Sequence, residues 1–403
     1  MNTVKFFDLL QKEVDRLKFG GLSKSDEKII EGFKFHSVDS PRAIVNGKEY
    51  ILFNSNDYLG LRFNKSVKEA ESDNSTKFGS GPGAVRFISG TLAVHRELEK
   101  KLAEFHARED AILFSSAFAA NLATIFCLVK GQNKDSLVGG KVLVISDELN
   151  HRSIVDGIRL CNLDGEDKKI YKHLDFEDLK NILKENAGKY DRVLVVTDGV
   201  FSMLGEICDV EKLIQVTDQF QSFYDMGVLV LVDDCHGIGV IDQTDRKKAD
   251  LLVGTLGKTF GADGGYVTGS LQVINYLREA AGTYIYSNSI SAGTAGAAIK
   301  AIKIAASDEG NKLIQKLNLN IGLFKKKAAE AGLVMAADSI HPIQPILLGD
   351  PEKAKKFQDD MWKKGIWVTS INYPVVAKGK DEIRIQISAA HSKADIELFF
   401  GTG

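Results

Sequence analysis

One lysine in this sequence has the surroundings of a reactive amine. Lys258 stands between Gly257 and Gly261 and lies five residues after the end of the apolar run Leu251–Val253. A lysine just beyond a buried strand is partly desolvated, which favours its neutral, nucleophilic form. A Schiff-base lysine needs that form, although a single loop lysine is usually an exposed surface residue. Whether Lys258 is a Schiff-base lysine or an exposed surface lysine depends on which other residues lie near it.

Ionisable side chains also follow other predicted strands at the points where those strands end. Asp233 and His236 come after the apolar run Val228–Val232, and His151 comes shortly after Val142–Ile145. Because ligands of parallel sheets bind beyond the carboxyl ends of the strands, these residues and the lysine would converge at one edge. A single histidine is more often structural than catalytic, but such a convergence is hard to explain as solvated loops.

A strand that runs directly into a helix provides a candidate anion site. The buried run Ala111–Phe114 is followed by Ser115, Ser116 and a helix of small residues. Free amides and hydroxyls meet the positive end of the helix dipole there. A lysine for an aldehyde, an acid for a ring nitrogen, an anion site and an aromatic partner are the parts that pyridoxal 5'-phosphate requires. The sequence therefore predicts this cofactor.

The elements that position these residues alternate along the chain. Short apolar runs between helical segments predict an α/β fold with a mostly parallel central sheet covered by helices. An amphipathic helix is predicted over residues 3–18, and a hairpin over 44–53 with Asn46-Gly47 as its turn.

The last part of the chain predicts a smaller α+β unit with strands at 342–348, 365–369 and 382–387. Arg384 lies inside an apolar strand pattern, which makes it a candidate ligand for a carboxylate, although a packed surface arginine explains the pattern equally well. Three parts are expected: an N-terminal helix and hairpin segment (1–55), a large cofactor-binding domain (56–290) and a C-terminal α+β domain (291–403).

The composition is that of an ordinary soluble globular protein. The 403 residues are 44% hydrophobic and 26% charged, with a net charge of −2. The near-neutral charge predicts neither nucleic-acid nor membrane-surface binding, and no apolar run of signal-peptide or membrane-spanning type occurs. The 4 cysteines are scattered without metal-ligand spacing, which predicts reduced thiols, a cytoplasmic location and no metal site.

Six ordered motifs resemble those of the α-oxoamine synthases, which are pyridoxal phosphate enzymes of fold type I. The motifs are Asn56–Gly60, Phe114–Ser116 with Asn121, Asp147–His151, Thr197–Met203, Asp233–Gly237 and Gly254–Lys258. The resemblance extends from about residue 5 to about residue 398. It implies an enzyme that joins a small amino acid to an acyl-CoA, and a homodimer with shared active sites.

The resemblance implies catalytic roles for four residues. Lys258 would bind the cofactor aldehyde, and Asp233 would pair with the pyridine nitrogen. His151 would stack on the ring and take part in acid–base steps. His236 would lie beside the ring oxygen, together with Ser202.

The resemblance also implies two groups of binding residues. The phosphate would be held by Ser116, Ala117, Phe118 and Thr255, and by Ser287 of the neighbouring subunit. The carboxylate of the amino acid would be held by Asn56 and Arg384.

Further motifs resemble the branch of the family that joins glycine to acetyl-CoA. They are Val85–Ile88, Asp156–Cys161, Ser287–Ser289, Asn372–Val376 and Ser388–His391. The implied reaction forms 2-amino-3-oxobutanoate and CoA, or cleaves that ketoacid with CoA during threonine catabolism. The alternatives are a synthase of the 8-amino-7-oxononanoate type with a longer acyl thioester, an aminotransferase, and a non-catalytic interaction subunit with the same fold.

Overall fold

The structure is a computed structural model that describes residues 2–19, 27–36, 40–133, 135–373 and 375–401. The strands in this part of the chain, in order, are β1 (Gly32–Lys34), β2 (Arg42–Val45), β3 (Lys48–Leu52), β4 (Asp110–Phe114), β5 (Val142–Asp147), β6 (Lys168–Tyr171), β7 (Arg192–Asp198), β8 (Val228–Asp233), β9 (Leu251–Thr255), β10 (Gly265–Gly269), β11 (Ile343–Leu347), β12 (Ile366–Trp367), β13 (Thr369–Ile371) and β14 (Glu382–Gln386).

Helices alternate with many of these strands. In chain order they are α1 (Asn2–Phe19), α2 (Lys65–Phe78), α3 (Ala93–His106), α4 (Ala117–Lys130), α5 (Arg152–Leu160), α6 (Phe176–Glu185), α7 (Val210–Asp218), α8 (Leu271–Ala280), α9 (Gly282–Ile285), α10 (Ala292–Ala305), α11 (Asp308–Glu330), α12 (Pro351–Lys363) and α13 (Lys393–Phe399). Within the described ranges, none of them combines the length and the apolar character that crossing a bilayer requires.

A seven-stranded sheet forms the centre of the molecule, with the strand order β4-β10-β9-β8-β7-β5-β6. β10 pairs antiparallel with both of its neighbours, whereas the other adjacent strands pair in parallel. The predicted α/β fold with a mostly parallel sheet is therefore confirmed. The sequence pattern did not predict β6 or β10, because both are short and β10 begins and ends with glycine.

The central strands are apolar on both faces because helices cover both sides of the sheet. Val193 and Val195 of β7 belong to the hydrophobic cluster on one face, and Leu194 and Val196 belong to the cluster on the other. Successive side chains of a strand point to opposite faces, so both faces are buried. Each such side chain contributes about 1.5–3 kcal/mol when it is fully buried.

Two smaller sheets complete the fold, with the orders β1-β2-β3-β12 and β11-β14-β13. The predicted hairpin is β2 and β3, and its turn residues Asn46 and Gly47 have φ values of 49° and 70°. Such left-handed pairs match the twist of a two-residue hairpin. The single strand predicted at 365–369 was wrong, since β12 pairs with β3 while β13 pairs with β14 in the other sheet.

The three expected domains stay predictions. Two contacts join these parts of the chain: β12 pairs with β3 of the N-terminal segment, and α10 packs against α2 and α3.

The apolar side chains of α1 are largely exposed in the single chain, with Phe6 at 55% and Phe7 at 61%. Its apolar face is therefore open to contacts from another chain.

Candidate active site

A cavity of about 250 Å³ lies at the carboxyl edge of the seven-stranded sheet. Nine of the ten residues predicted to bind the cofactor line it: Ser116, Ala117, Phe118, His151, Ser202, Asp233, His236, Thr255 and Lys258. Ser287 is the exception. All four residues that were predicted to be catalytic are therefore brought together.

Sheet topology explains this convergence. β4, β5, β7, β8 and β9 run in the same direction, so the segments that follow them leave the sheet at the same edge. These segments carry Ser116, His151, Ser202, His236 and Lys258. The convergence of distant sequence positions thus follows from parallel pairing.

Asp233, the last residue of β8, belongs to a buried hydrogen-bond network. The side-chain amide of Asn121 donates to Asp233 Oδ2 at 2.6 Å and to Ser153 Oγ at 2.9 Å. Ser153 Oγ lies 2.8 Å from His151 Nδ1, and the Ser153 amide also donates to that nitrogen. The orientations of the carboxylate and of the imidazole are therefore linked through Asn121 and Ser153.

Asp198 ends β7 and pairs in register with Asp233 of β8. Both carboxyl groups are buried. Burial first, and then the neighbouring Asp233 carboxylate, raise the pKa of Asp198 well above its usual range. Asp198 Oδ2 accepts the backbone amide of His151 at 3.0 Å, so this carboxyl fixes the main chain that carries the imidazole.

Desolvation lowers the pKa of His151, while the Asp233 carboxylate opposes this shift and the Lys258 ammonium adds to it. The ring contacts Phe118 edge to face, with 6.3 Å between the centroids. A neutral imidazole held at one edge by Ser153 presents an aromatic face, as a ring-stacking partner requires.

The N-terminus of α4 forms one end of the cavity, where Ser116, Ala117 and Phe118 line it. Ser116 caps the helix by accepting the amide of Ala119 at 3.1 Å. The first amides of a helix have no intrahelical partner, so those of Ala117 and Phe118 are suited to an anion. A Cβ atom at Gly265 would lie 2.1 Å from the Ala117 nitrogen, so only glycine lets β10 pass beneath this helix end.

A tight loop between β9 and β10 carries the half-buried Lys258. Thr255 Oγ1 accepts the Gly257 amide at 3.2 Å and donates to the Gly264 carbonyl at 3.1 Å. Gly261 has a φ of 62°, and a Cβ atom there would lie 2.3 Å from the Arg62 nitrogen. The loop that presents the lysine is therefore fixed at both ends.

His236 is buried and held from two sides. Tyr58 Oη lies 2.7 Å from its Nδ1, and His341 Nε2 donates to its carbonyl oxygen at 2.8 Å. Burial, followed by the charges of Lys258 and Arg384, lowers the pKa of His236 well below its usual value. The imidazole is therefore neutral and acts as a hydrogen-bonding group.

The predicted carboxylate ligands Asn56 and Arg384 do not line this cavity, but they lie next to it. Arg384 Nε donates to the carbonyl oxygen of Ser202 at 2.6 Å. Asn56 hydrogen-bonds to Gln386 at 2.8 Å, and Tyr58 Oη donates to Asn56 Oδ1 at 3.3 Å. Both residues therefore meet at the side of the cavity where β14 approaches it.

Ser287 lies outside the cavity in the single chain, where its hydroxyl donates to the Asn288 carbonyl at 3.4 Å. Its predicted contact with the phosphate from a neighbouring subunit stays a prediction.

Sequence reasoning assigned no role to several residues of the site. Asn121 and Ser153 link Asp233 to His151, Asp198 supports the His151 main chain, and Tyr58 contacts His236. Asp198 was detectable, because it ends a buried strand just as Asp233 does. Asn121 stands one helical turn after Ala117, on the helix face that already contributes to the site.

A second cavity, of about 330 Å³, adjoins the first and shares Ser202 with it. Its lining is mainly apolar: Leu149, Phe201, Met203, Leu204, Ala336, Leu347, Val375, Val376 and Ala377. Glu206, Lys380 and Glu382 complete it. The mainly apolar second cavity therefore meets the first cavity at Ser202.

The residues present fit pyridoxal phosphate. The first cavity combines an amine, a buried carboxylate, an imidazole and a helix N-terminus, and these groups match the aldehyde, the ring nitrogen, the ring face and the phosphate. The Asn121 side chain is oriented by donation from its Nδ2 to Asp233 and Ser153, whereas its buried Oδ1 has no hydrogen-bond partner in the described part of the chain.

Known proteins resemble this chain over most of its length. Residues 48–401 match the family described as aminotransferase class I and II. The mitochondrial 2-amino-3-ketobutyrate coenzyme A ligase of Bos taurus is 38% identical over 96% of this chain and 89% of its own length. The 8-amino-7-oxononanoate synthase of Thermoanaerobacter pseudethanolicus is 35% identical over 98% of this chain and 96% of its own.

A solved structure extends the likeness to three dimensions. Serine palmitoyltransferase from S. paucimobilis, with a bound PLP–myriocin aldimine, superposes with a TM-score of 0.86 at 26% identity. The match covers 99% of this chain and 96% of that one. The chain therefore belongs to the aminotransferase class I and II family, as one of its pyridoxal phosphate-dependent α-oxoamine synthases.

Proposed function

We propose that this enzyme condenses glycine with acetyl-CoA to give 2-amino-3-oxobutanoate and CoA, or cleaves the ketoacid with CoA in the reverse direction. The observation that carries the proposal is the cavity in which Lys258, Asp233 and His151 converge next to Arg384. The 38% identity to a 2-amino-3-ketobutyrate coenzyme A ligase favours glycine and acetyl-CoA.

When bound, pyridoxal phosphate supplies an aldehyde and an electron-withdrawing ring. Asp233 would hold a proton on the ring nitrogen, and its link to Asn121 keeps the carboxylate in one orientation. The N-terminus of α4 and Thr255 would bind the phosphate, and His151 would cover one face of the ring. Lys258 would hold the aldehyde, and its amine, once released, would accept the α-proton of glycine at Nζ.

Arg384 would orient the amino acid. Its guanidinium already donates to the Ser202 carbonyl, so its remaining N–H groups can receive a carboxylate from the cavity side. Burial lowers the pKa of Arg384, whereas Tyr58 and Glu382 oppose the shift. Asn56 would supply a second polar contact. The acyl thioester would then approach along the adjoining apolar cavity.

The test is an absorbance scan of the purified holoenzyme, first with glycine and then with acetyl-CoA, while free CoA is titrated with a thiol reagent. We expect a visible spectral change with glycine, a second change with acetyl-CoA, and release of CoA. A cofactor band that responds to glycine but never to acetyl-CoA would reject the proposed acyl donor.

A second candidate is a synthase of the 8-amino-7-oxononanoate type that uses alanine and a longer acyl thioester. Two observations favour it: the relative at 35% identity and the apolar cavity of about 330 Å³ beside the site. Rates measured with acyl-CoA chains of increasing length, for glycine and for alanine, distinguish the two. A kcat/KM that rises with chain length and with alanine would select this candidate.

We also propose that the enzyme works as a homodimer in the cytoplasm. The exposed apolar face of α1 supports an interface with a second copy. Sedimentation equilibrium tests this assembly, and a monomer at micromolar concentration would reject it.

A further inference from the structure

The wall of the second cavity contains one buried acid whose position is unusual. Glu382 is 1% exposed and lines this cavity, which is otherwise mainly apolar. Among the described residues, its Oε1 atom has no hydrogen-bond partner. A buried carboxylate oxygen that neither a hydrogen-bond donor nor solvent reaches is poorly screened, so Glu382 acts on a ligand in the cavity through its charge rather than through contact.

The neighbouring charges offset the burial of the Glu382 carboxylate only in part. Glu206 is engaged by His173 Nε2 at 2.9 Å, and Lys380 is exposed to solvent. Arg384 lies two residues along β14 and therefore on the same face, but its Nε donates to Ser202. Burial raises the pKa of Glu382 to about 7, while Arg384 opposes this shift and Glu206 adds to it.

We propose that Glu382 selects the acyl group by charge, so that the cavity accepts uncharged acyl chains and rejects chains that end in a carboxylate. This inference rests on the proposed use of an acyl thioester. Ser202 lines both cavities, so an acyl group longer than acetyl that reacts in the first would extend along the wall that holds Glu382. Two carboxylates facing each other in an apolar cavity repel strongly, because little water screens them.

The test compares butyryl-CoA with succinyl-CoA, which have four-carbon acyl groups that differ in the terminal carboxylate. Binding of each to the holoenzyme is measured by calorimetry at pH 8, where Glu382 is mainly ionised. We expect succinyl-CoA to bind the natural enzyme about tenfold or more weakly than butyryl-CoA. In Glu382→Gln the two should bind with similar affinity.

Glu352→Gln on α12 is the matched control, because it makes the same change of charge at an exposed position away from the cavity. It should keep the preference of the natural enzyme. A second readout needs no variant: the preference for butyryl-CoA should decrease as the pH falls from 8 to 6, because Glu382 takes up a proton near pH 7.

Equal binding of the two thioesters to the natural enzyme at pH 8, or a preference that Glu382→Gln leaves unchanged, would overturn the inference and leave the proposed function in place. If neither four-carbon thioester binds at any pH while acetyl-CoA does, the inference is overturned and the proposed function stands. If acetyl-CoA also fails to bind, the proposed function is overturned, and the inference with it.

Discussion

The carboxyl edge of the seven-stranded sheet and the face of β14 contribute to one site in different ways. At the sheet edge, Asp233 and Asp198 are terminal residues of neighbouring strands, and hydrogen bonds fix each of them. On β14, Arg384 at the middle of the strand and Glu382 at its start contribute through their side chains, Arg384 beside the first cavity and Glu382 in the lining of the second. The carboxyl edge of the sheet would therefore carry out the reaction, whereas the β14 face would determine which substrate binds.

Replacement of the lysine should give the largest effect. Lys258→Ala removes the amine that would bind the aldehyde and move the α-proton, so kcat should fall by at least ~10²–10⁴-fold. Ser202→Ala, on the same cavity wall, should cost far less, because the contact with Arg384 uses the Ser202 main chain. Comparable losses of CoA release in the two variants would contradict the role of Lys258.

The two aspartates at the sheet edge should differ strongly. Asp233→Asn removes the charge that would hold the ring proton, and we expect a loss of about 10²-fold or more in kcat. Asp198→Asn should have a much smaller effect, because burial and the neighbouring Asp233 raise the pKa of Asp198 and disfavour its charge, and an amide oxygen can still accept the His151 amide. Steady-state rates of the pair test this, and equal losses would show that both carboxylates act in ionised form.

The β14 face should affect binding more than turnover. Arg384→Gln should raise the KM for glycine by roughly 10–100-fold, as expected for loss of a charge-assisted carboxylate contact, with a smaller change in kcat. The KM for acetyl-CoA should stay nearly constant. Lys378→Gln, an exposed position before β14, is the control. A lower kcat at constant KM would move Arg384 from the substrate-binding group to the catalytic one.

The smallest effect should come from the residue that joins the two regions. Tyr58 contacts His236 of the sheet edge at 2.7 Å and donates to Asn56 beside β14 at 3.3 Å. Tyr58→Phe should reduce kcat/KM by roughly 2–10-fold for each of these two neutral hydrogen bonds that contributes to the site. If Tyr58→Phe and Arg384→Gln combined give the product of their separate losses, the two regions act independently.

Local patterns predicted the sheet-edge residues because a polar side chain at the end of a buried strand, or within a few residues of that end, is visible in the sequence. Lys258, His151, Asp233 and His236 all follow this rule. Arg384 was also found, since a charge interrupts an apolar strand. Glu382 was not, because a glutamate at the start of a strand resembles an ordinary solvated residue until its burial is known. The separation of β12 from β13 at residue 368 was not predicted either. It arises because the two strands pair with different partners, and the sequence does not reveal those partners.

β10 also has a consequence for the order of folding. It pairs with β4 on one side and β9 on the other, and Gly265 stands opposite both Phe114 and Thr255. The helix end that would bind the phosphate and the loop that carries the lysine therefore acquire their spacing only when this strand inserts. Because β10 follows both neighbours in the chain, a nascent polypeptide can complete the site only after residue 269 has left the ribosome.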